Sequence, residues 1–543
     1  MDRRTFIGTT AAGGAGLALT SACAPPASDS PVDSSGQAAG EIPPFEFDEV
    51  TVDDLQRMME SGEHTARSIT QAYIDRIEAM DRQGPELRSM IEINPDALEI
   101  ADELDAERRA GGPRGPLHGI PVALKDNLDT HDRMTTTAGS LALEGSIPPR
   151  DSFVAERLRA AGAILLGKAN MSEWAYFRGE RATSGWSARG GQCVNPYALN
   201  RNPCGSSSGS GVAASANLCA LTVGTETGGS IMCPSSSNGI VGIKPTVGLW
   251  SRSGIIPISH SQDTAGPMTR TVRDAAILLG GAVGVDPRDE ATSRSEGNFH
   301  TDYTQFLDSA GLEGARIGVA RSFTGFDPRV MALFEDAIQA MRDAGAVIVD
   351  PANLPVANWR DELPLIVLEY EFKTDLNAYL ATLGPDAPVR TLAEIIEFNE
   401  QNAELEMPYF GQQRMIASQA RGPLTDEVYL NAVRTIQRGN REEGIDALMN
   451  EHQLDAIVAP TRDLPWTTDH IKGDRLDGGS SAGPAAIAGY PDISVPMGFV
   501  SGLPAGVSFF GRAWSEPVLI RIAYAFEQAT QHRRAPTFAP TLG

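Results

Sequence analysis

The chain is poor in basic charge. Across its 543 residues, 45 Lys+Arg face 70 Asp+Glu, giving a formal charge of −25. A phosphate backbone is bound through a basic footprint, so nucleic acid is excluded as a partner. Charge-driven adhesion to an anionic membrane surface is excluded with it. Cysteine is scarce, with five residues in all, and none is spaced as C-x-x-C or as a zinc set. No metal site follows, and small buried thiols are the expected state of Cys193, Cys204, Cys219 and Cys233. An exported chain could still pair them. There is no internal repeat, and no composition break after residue 45 marks a second folded domain. What is present is ordinary globular usage, 41% hydrophobic and 21% charged, enough apolar surface to bury a core.

The N-terminus reads differently from the rest. Arg3-Arg4-Thr5-Phe6-Ile7-Gly8 precedes a Gly/Ala/Leu/Thr stretch that ends at Ala22, with Cys23 behind it. The stretch is too short and Gly-rich to span a bilayer, which takes about 20 apolar residues. Residues 1–22 resemble an export signal of the twin-arginine type. Leu19-Thr20-Ser21-Ala22-Cys23 resembles an imperfect lipoprotein cleavage site, so Cys23 is the one point where a lipid anchor is expected. Residues 23–45, rich in Pro, Ser, Gly and Asp without periodicity, read as a flexible linker. The expected localisation is exported, in the periplasm or cell envelope.

From Phe45 onward the pattern alternates. Ile69, Tyr73, Ile77 and Met80 fall at helical spacing behind Thr65, and Asn94-Pro95 opens a second helix through Leu98, Ala101 and Leu104. Ile120 to Leu124 reads as a buried strand arriving at Lys125. Asp151 to Ala161 suits a helix and Ala163 to Leu166 a strand. Apolar runs recur at Ala220–Val223, Ile317–Ala320, Ala346–Val349 and Ala456–Ala459, and residues 355–450 read as mainly helical. Strands alternating with helices predict an α/β fold, a largely buried sheet with helices on its faces.

The chemistry concentrates between Lys125 and Ser230. Gly205-Ser206-Ser207-Ser208-Gly209 fits G-x-S-x-G, but a nucleophile elbow needs a strand before it, and Asn195 to Pro203 is polar and broken by proline. Gly209-Ser210-Gly211-Val212-Ala213-Ala214 fits a relaxed dinucleotide fingerprint and fails on the same ground, so no cofactor is expected. Thr227-Gly228-Gly229-Ser230 is a turn whose glycines let backbone N–H groups approach a developing oxyanion.

Together, Leu124-Lys125-Asp126-Asn127, Gly205-Ser206-Ser207 and Gly224-Thr225-Glu226-Thr227-Gly228-Gly229-Ser230 resemble the amidase signature family. Gly167-Lys168-Ala169-Asn170-Met171, Gly242-Ile243-Lys244-Pro245-Thr246, Asp263-Thr264-Ala265-Gly266-Pro267 and Gly502-Leu503-Pro504-Ala505-Gly506 support the likeness, which covers roughly residues 46 to 540. It implies a single large domain over 46–543, with a mixed, mostly parallel β-sheet core covered by helices. It also implies roles: Ser230 as nucleophile, Ser206 as relay serine on a cis peptide, Lys125 as base, and Ser207 in support. The N–H groups of Thr227, Gly228, Gly229 and Ser230 would form the oxyanion hole. A lysine must be desolvated to act as a base near neutrality, and the end of a buried strand supplies that. Many members carry arginine two positions after the nucleophile, whereas this chain has Met232, which points to neutral amides. Cys204, Cys233 and Gly254-Ile255-Ile256-Pro257-Ile258 look most like the peptide amidase branch.

The expected function is hydrolysis of a neutral carboxamide, such as a peptide C-terminal amide, to acid and ammonia without a cofactor. Small aliphatic or aryl amides are an alternative substrate class. An esterase with Ser-His-Asp chemistry would need one of the eight histidines beside a serine. A tethered binding protein on an amidase scaffold is the non-enzyme alternative. The partner is a small-molecule or peptide amide, and nothing in the sequence sets the oligomeric state.

Overall fold

The computed structural model describes residues 42–355, 362–475 and 478–542. The leader, Cys23 and the linker as far as residue 41 lie outside the described residues. Thirteen strands are present in them: β1 (Met90–Ile93), β2 (Pro121–Lys125), β3 (Ile164–Ala169), β4 (Trp186–Ser187), β5 (Gly191–Gln192), β6 (Leu221–Glu226), β7 (Val241–Lys244), β8 (Thr264–Thr269), β9 (Arg316–Val319), β10 (Val347–Val349), β11 (Ala456–Pro460), β12 (Asp492–Val500) and β13 (Leu503–Phe510). All but the β4–β5 hairpin join one eleven-stranded sheet, in the order β1-β3-β2-β6-β8-β7-β12-β13-β11-β9-β10.

Local sequence accounts for many of these elements. The helix Ala66–Ile77 starts at Thr65, whose hydroxyl accepts from the Ser68 N–H while the Ser68 side chain returns a bond to the Thr65 N–H. Ser152 caps the helix Phe153–Ala160 by one bond alone, its hydroxyl accepting from the Ala155 N–H. β2, β3, β6 and β11 are buried along their whole length, so each reads as a continuous apolar run rather than an alternating one. The helix Phe153–Ala160 carries the chain from β2 to the parallel β3, and the helix Ser208–Ser215 leads into β6, parallel to β2 on its other side.

The sheet is mixed, as the family resemblance implied. Its parallel pairings form two blocks, β3-β2-β6 and β11-β9-β10. Between them β6-β8-β7-β12-β13-β11 pair antiparallel, as does the edge strand β1 on β3. The antiparallel share is therefore larger than strand–helix alternation suggested. Two of the antiparallel pairs, β7–β8 and β12–β13, join consecutive strands with no helix between them, the second through a turn at Ser501-Gly502. The others bring together strands distant in sequence.

The helical stretch after residue 362 is docked on one flank of this sheet. Phe372, Leu376 and Tyr379 of the helix Glu362–Leu380 pack with Met171, Trp174, Phe177, Ile256 and Ile258. A buried ionic clamp fixes the same flank. Arg178, with no exposed surface, pairs with Glu173 at 3.1 Å and with Glu406 at 3.8 Å. Its guanidinium donates to the carbonyls of Glu406 and Phe410 and lies 4.1 Å from the Phe410 ring centroid. Glu406 in turn accepts from the Leu141 N–H at 2.7 Å. Removing one partner of a buried ion group leaves uncompensated charge, which costs about 3–5 kcal/mol. Arg178→Leu should lower the unfolding free energy by about that amount in urea titration, and loosen the helical flank first in hydrogen exchange.

Candidate active site

Lys125 is the last residue of β2 and is completely buried. Its ammonium nitrogen donates to Ser206 Oγ at 2.7 Å, to Thr225 Oγ1 at 2.8 Å and to the Thr225 carbonyl at 3.3 Å. Asn127 Nδ2 donates to the same Thr225 hydroxyl at 3.1 Å. Burial is the main influence on Lys125 and pulls its pKa from 10.5 down to about 7, against the opposing pull of Asp263 and Glu226. A group poised there exchanges its proton readily at neutral pH.

The serines arrive from two separate loops. Ser206 follows a cis peptide bond from Gly205. A Cβ on Gly205 would sit 2.2 Å from Ser172 Oγ, so only glycine fits that approach. The Ser206 carbonyl accepts from the Ser172 N–H at 3.0 Å. Ser207 ties this loop to the next one: its N–H donates to the Ser230 carbonyl at 3.2 Å, and its hydroxyl donates to the Thr225 carbonyl at 2.9 Å. Thr227 to Ser230 form the turn after β6. Gly229 adopts φ +93°, and nothing lies within 4 Å of where a Gly228 Cβ would project, so that backbone is open to a ligand. Thr227 is anchored by its hydroxyl on Asp263 Oδ1 at 2.5 Å. Behind the turn, buried Glu226 accepts from the Ile231 and Met232 N–H groups at 2.7 and 3.0 Å. The fold thus gathers Lys125, Ser206, Ser207 and the 227–230 turn at one end of the β2–β6 pair.

A cavity of about 310 Å³ opens onto this cluster at Asn127, Thr225 and Thr227. Ile255, Ile256, Pro257 and Ile258 form an apolar wall, faced by Ala378 and Tyr379 of the helix Glu362–Leu380. Its charged groups are mostly engaged. Arg252 pairs with Asp289 at 2.6 Å, and the Tyr379 hydroxyl donates to Asp129 at 2.8 Å. Asp263, whose Oδ2 accepts from the N–H groups of Ile258 and Ser259, has its pKa pushed up to about 6 by burial. Sequence reasoning did not assign Asp129, Thr225, Asp263 or Tyr379 to the site. Thr225 and Asp263 stood within the quoted motifs, and Tyr379 within the stretch read as mainly helical, but neither pattern says what a side chain faces.

Met232 does not line this cavity. It is buried among Ala214, Ile231, Ile240 and Met268. His260 does line it and holds Asp375 at 2.9 Å. The neighbouring hydroxyls of Ser259 and Ser261 donate to Glu371 rather than to the imidazole, which is not a Ser-His-Asp arrangement. His260, Glu371 and Asp375 also form a group of metal-ligand type. Glu371 is already taken by those hydroxyls and by the Tyr429 hydroxyl at 2.7 Å.

The expectation of buried thiols is corrected for two cysteines. Cys204 and Cys233 form a disulfide with a Cα–Cα separation of 5.9 Å. Cys193 and Cys219 are free and buried, with burial raising the Cys219 pKa to about 12. The pairing was hidden because its two ends are 29 residues apart and meet only after both serine loops fold.

The family model named Amidase matches residues 68–520. A probable amidase of Arabidopsis thaliana is 42% identical over 507 residues, covering 91% of this chain and 92% of its own. The crystal structure of an amidase family protein from Bacillus anthracis superposes with a TM-score of 0.81 at 36% identity, covering 90% of this chain and 92% of that one. The crystal structure of peptide amidase from Stenotrophomonas maltophilia superposes with a TM-score of 0.87 at 51% identity, covering 91% of this chain and all of that one.

Peptide mapping without reduction should recover Cys204 and Cys233 in one linked fragment. Cys193 and Cys219 should take up iodoacetamide only after unfolding, since buried thiols of raised pKa hold little thiolate.

Proposed function

Since the chain belongs to the amidase family, a hydrolase acting on amides, we propose that it cleaves a neutral carboxamide, foremost the C-terminal amide of a peptide, to the acid and ammonia. The observation that carries this reading is the 2.7 Å contact of buried Lys125 with Ser206, beside the glycine turn that ends at Ser230. In its neutral form Lys125 draws the Ser206 proton, and Ser206 draws that of Ser230 as Ser230 Oγ attacks the amide carbon. The N–H groups of Thr227, Gly228, Gly229 and Ser230 meet the oxyanion. The proton returns through Ser206 to the leaving nitrogen, ammonia departs, and water releases the acid from the acyl-enzyme by the same path. Likeness to a peptide amidase and the apolar cavity wall support a peptide amide over a charged one.

The reading places the enzyme outside the cytoplasm, held at the membrane through Cys23. The twin-arginine leader supports this, and so does the Cys204–Cys233 disulfide, because such bonds persist in oxidising compartments.

Ammonia release should be measured on amidated dipeptides, benzamide, a short aliphatic amide and malonamate. Turnover is expected on the peptide amides. Turnover confined to simple amides would overturn the substrate class, and silence across the panel would overturn the function. Ser230→Ala should fall to background, and Lys125→Ala should lose about 10²–10⁴-fold. Below pH 7 Lys125 is an ammonium and accepts no proton, so kcat/KM should rise with pH through a limb near 7. That limb should vanish in Lys125→Ala, and an inflection surviving there would discard the base.

A further inference from the structure

The Cys204–Cys233 disulfide spans the two loops that carry the serines. Cys204 is two residues before Ser206, and Cys233 is three residues after Ser230. Each end is pinned to its own loop. The Cys204 N–H donates to Asn202 Oδ1 at 2.8 Å and the Cys204 carbonyl accepts from Ser208 Oγ at 2.6 Å. The Cys233 N–H donates to the Gly229 carbonyl at 2.8 Å. Besides the disulfide, hydrogen bonds cross between the loops: Ser207 N–H to the Ser230 carbonyl, Ser207 Oγ to the Thr225 carbonyl, Asn238 Nδ2 to the Pro203 carbonyl at 2.8 Å, and Lys125 between Ser206 and Thr225. Trp466 covers the sulfurs and is itself held, its carbonyl accepting from the Asn202 N–H and its indole N–H donating to Asp474 at 3.2 Å. Both half-cystines keep a little surface, 6% and 8%.

We propose that this disulfide is a positioning link for the reaction, setting the placement of Ser206 against Ser230, and that its reduction turns activity down without unfolding the chain. The inference rests on the assignment of those two serines. In reduction by a phosphine the S–S bond breaks, water supplies two protons and one oxygen, and the products are two thiols and the phosphine oxide. With the link open, no covalent bond joins the loops, and their relative placement is left to hydrogen bonds and packing. Displacement of about 1 Å between reacting groups costs up to about 10²-fold in rate.

The test uses the full chain treated with tris(2-carboxyethyl)phosphine, with thiols counted by Ellman titration after unfolding and circular dichroism as the fold check. Two additional thiols should appear. At 25 °C kcat should drop by about 10- to 100-fold with KM nearly constant, and reoxidation should restore it. The double variant Cys204→Ser, Cys233→Ser should match the reduced enzyme and no longer respond to phosphine. Cys193→Ser, Cys219→Ser should respond like the wild type. Should the double variant fail to fold, reduction and reoxidation of the native chain decides alone. Unchanged kcat with both extra thiols exposed, or a loss in KM alone, overturns the link. Full activity in Ser230→Ala would instead overturn the serine assignment beneath it.

Discussion

An ammonium group removed from water must find acceptors or surrender its proton, and the end of β2 makes Lys125 do part of each. Three acceptor contacts from Ser206 and Thr225 keep it hydrogen-bonded, while complete burial brings its pKa near neutrality. Much of the local architecture serves that balance. β2 is buried along its whole length, which removes the nitrogen from bulk solvent. β6 runs parallel beside it and ends in Thr225 and Glu226, which places the partner hydroxyl and begins the glycine turn. The loop 204–207 then has one space left to occupy, set by the close approach of Gly205 to Ser172.

The sequence carried this end of the molecule well because its signals are local. An apolar run arriving at Lys125, a Gly/Ser loop and a second glycine turn are each short, and each takes the form its composition predicts. The absence of a strand before Ser206 was equally local, and residues 202–204 are indeed non-strand. What stayed hidden depends on elements meeting from afar. The antiparallel centre of the sheet is set by which strand lies beside which, and apolar runs such as Ala456–Ala459 carry no direction. The cavity wall is built from 255–258 and from Ala378 and Tyr379, more than a hundred residues apart. Reading residues 355–450 as helical covers Tyr379 but does not name Asp129 as its partner.

The helical flank explains why substrate choice resists a sequence reading. The helix Glu362–Leu380 buries two sides at once. Val367 and Tyr370 pack toward Tyr429 and Ile436, while Phe372, Leu376 and Tyr379 pack toward Trp174 and Ile258. With both sides apolar, periodicity alone does not reveal which one borders a cavity. Met232, which stands where many members carry arginine, is turned by the short helix after the turn into a separate apolar cluster. Adjacency along a tight turn says little about direction.

Burial alone does not make a lysine into a base. Lys125, Lys168 and Lys244 are all fully buried at or near strand ends, and burial lowers the pKa of each. Their neighbours differ. Lys168 donates to the Leu128 carbonyl at 2.6 Å and to Thr136, with Asp126, Asp129 and Asp132 all favouring its charged form. Lys244 faces Glu226, Asp492 and Glu516. These carboxylates oppose the lowering that burial imposes on both lysines. Lys125 instead gives two of its contacts to neutral hydroxyls, one of them on the loop facing Ser230. A hydroxyl can pass a proton onward, whereas a carbonyl only accepts a hydrogen bond. Lys168 also reaches a hydroxyl, that of Thr136, so what sets Lys125 apart is that its hydroxyl partner Ser206 lies on the loop tied to Ser230.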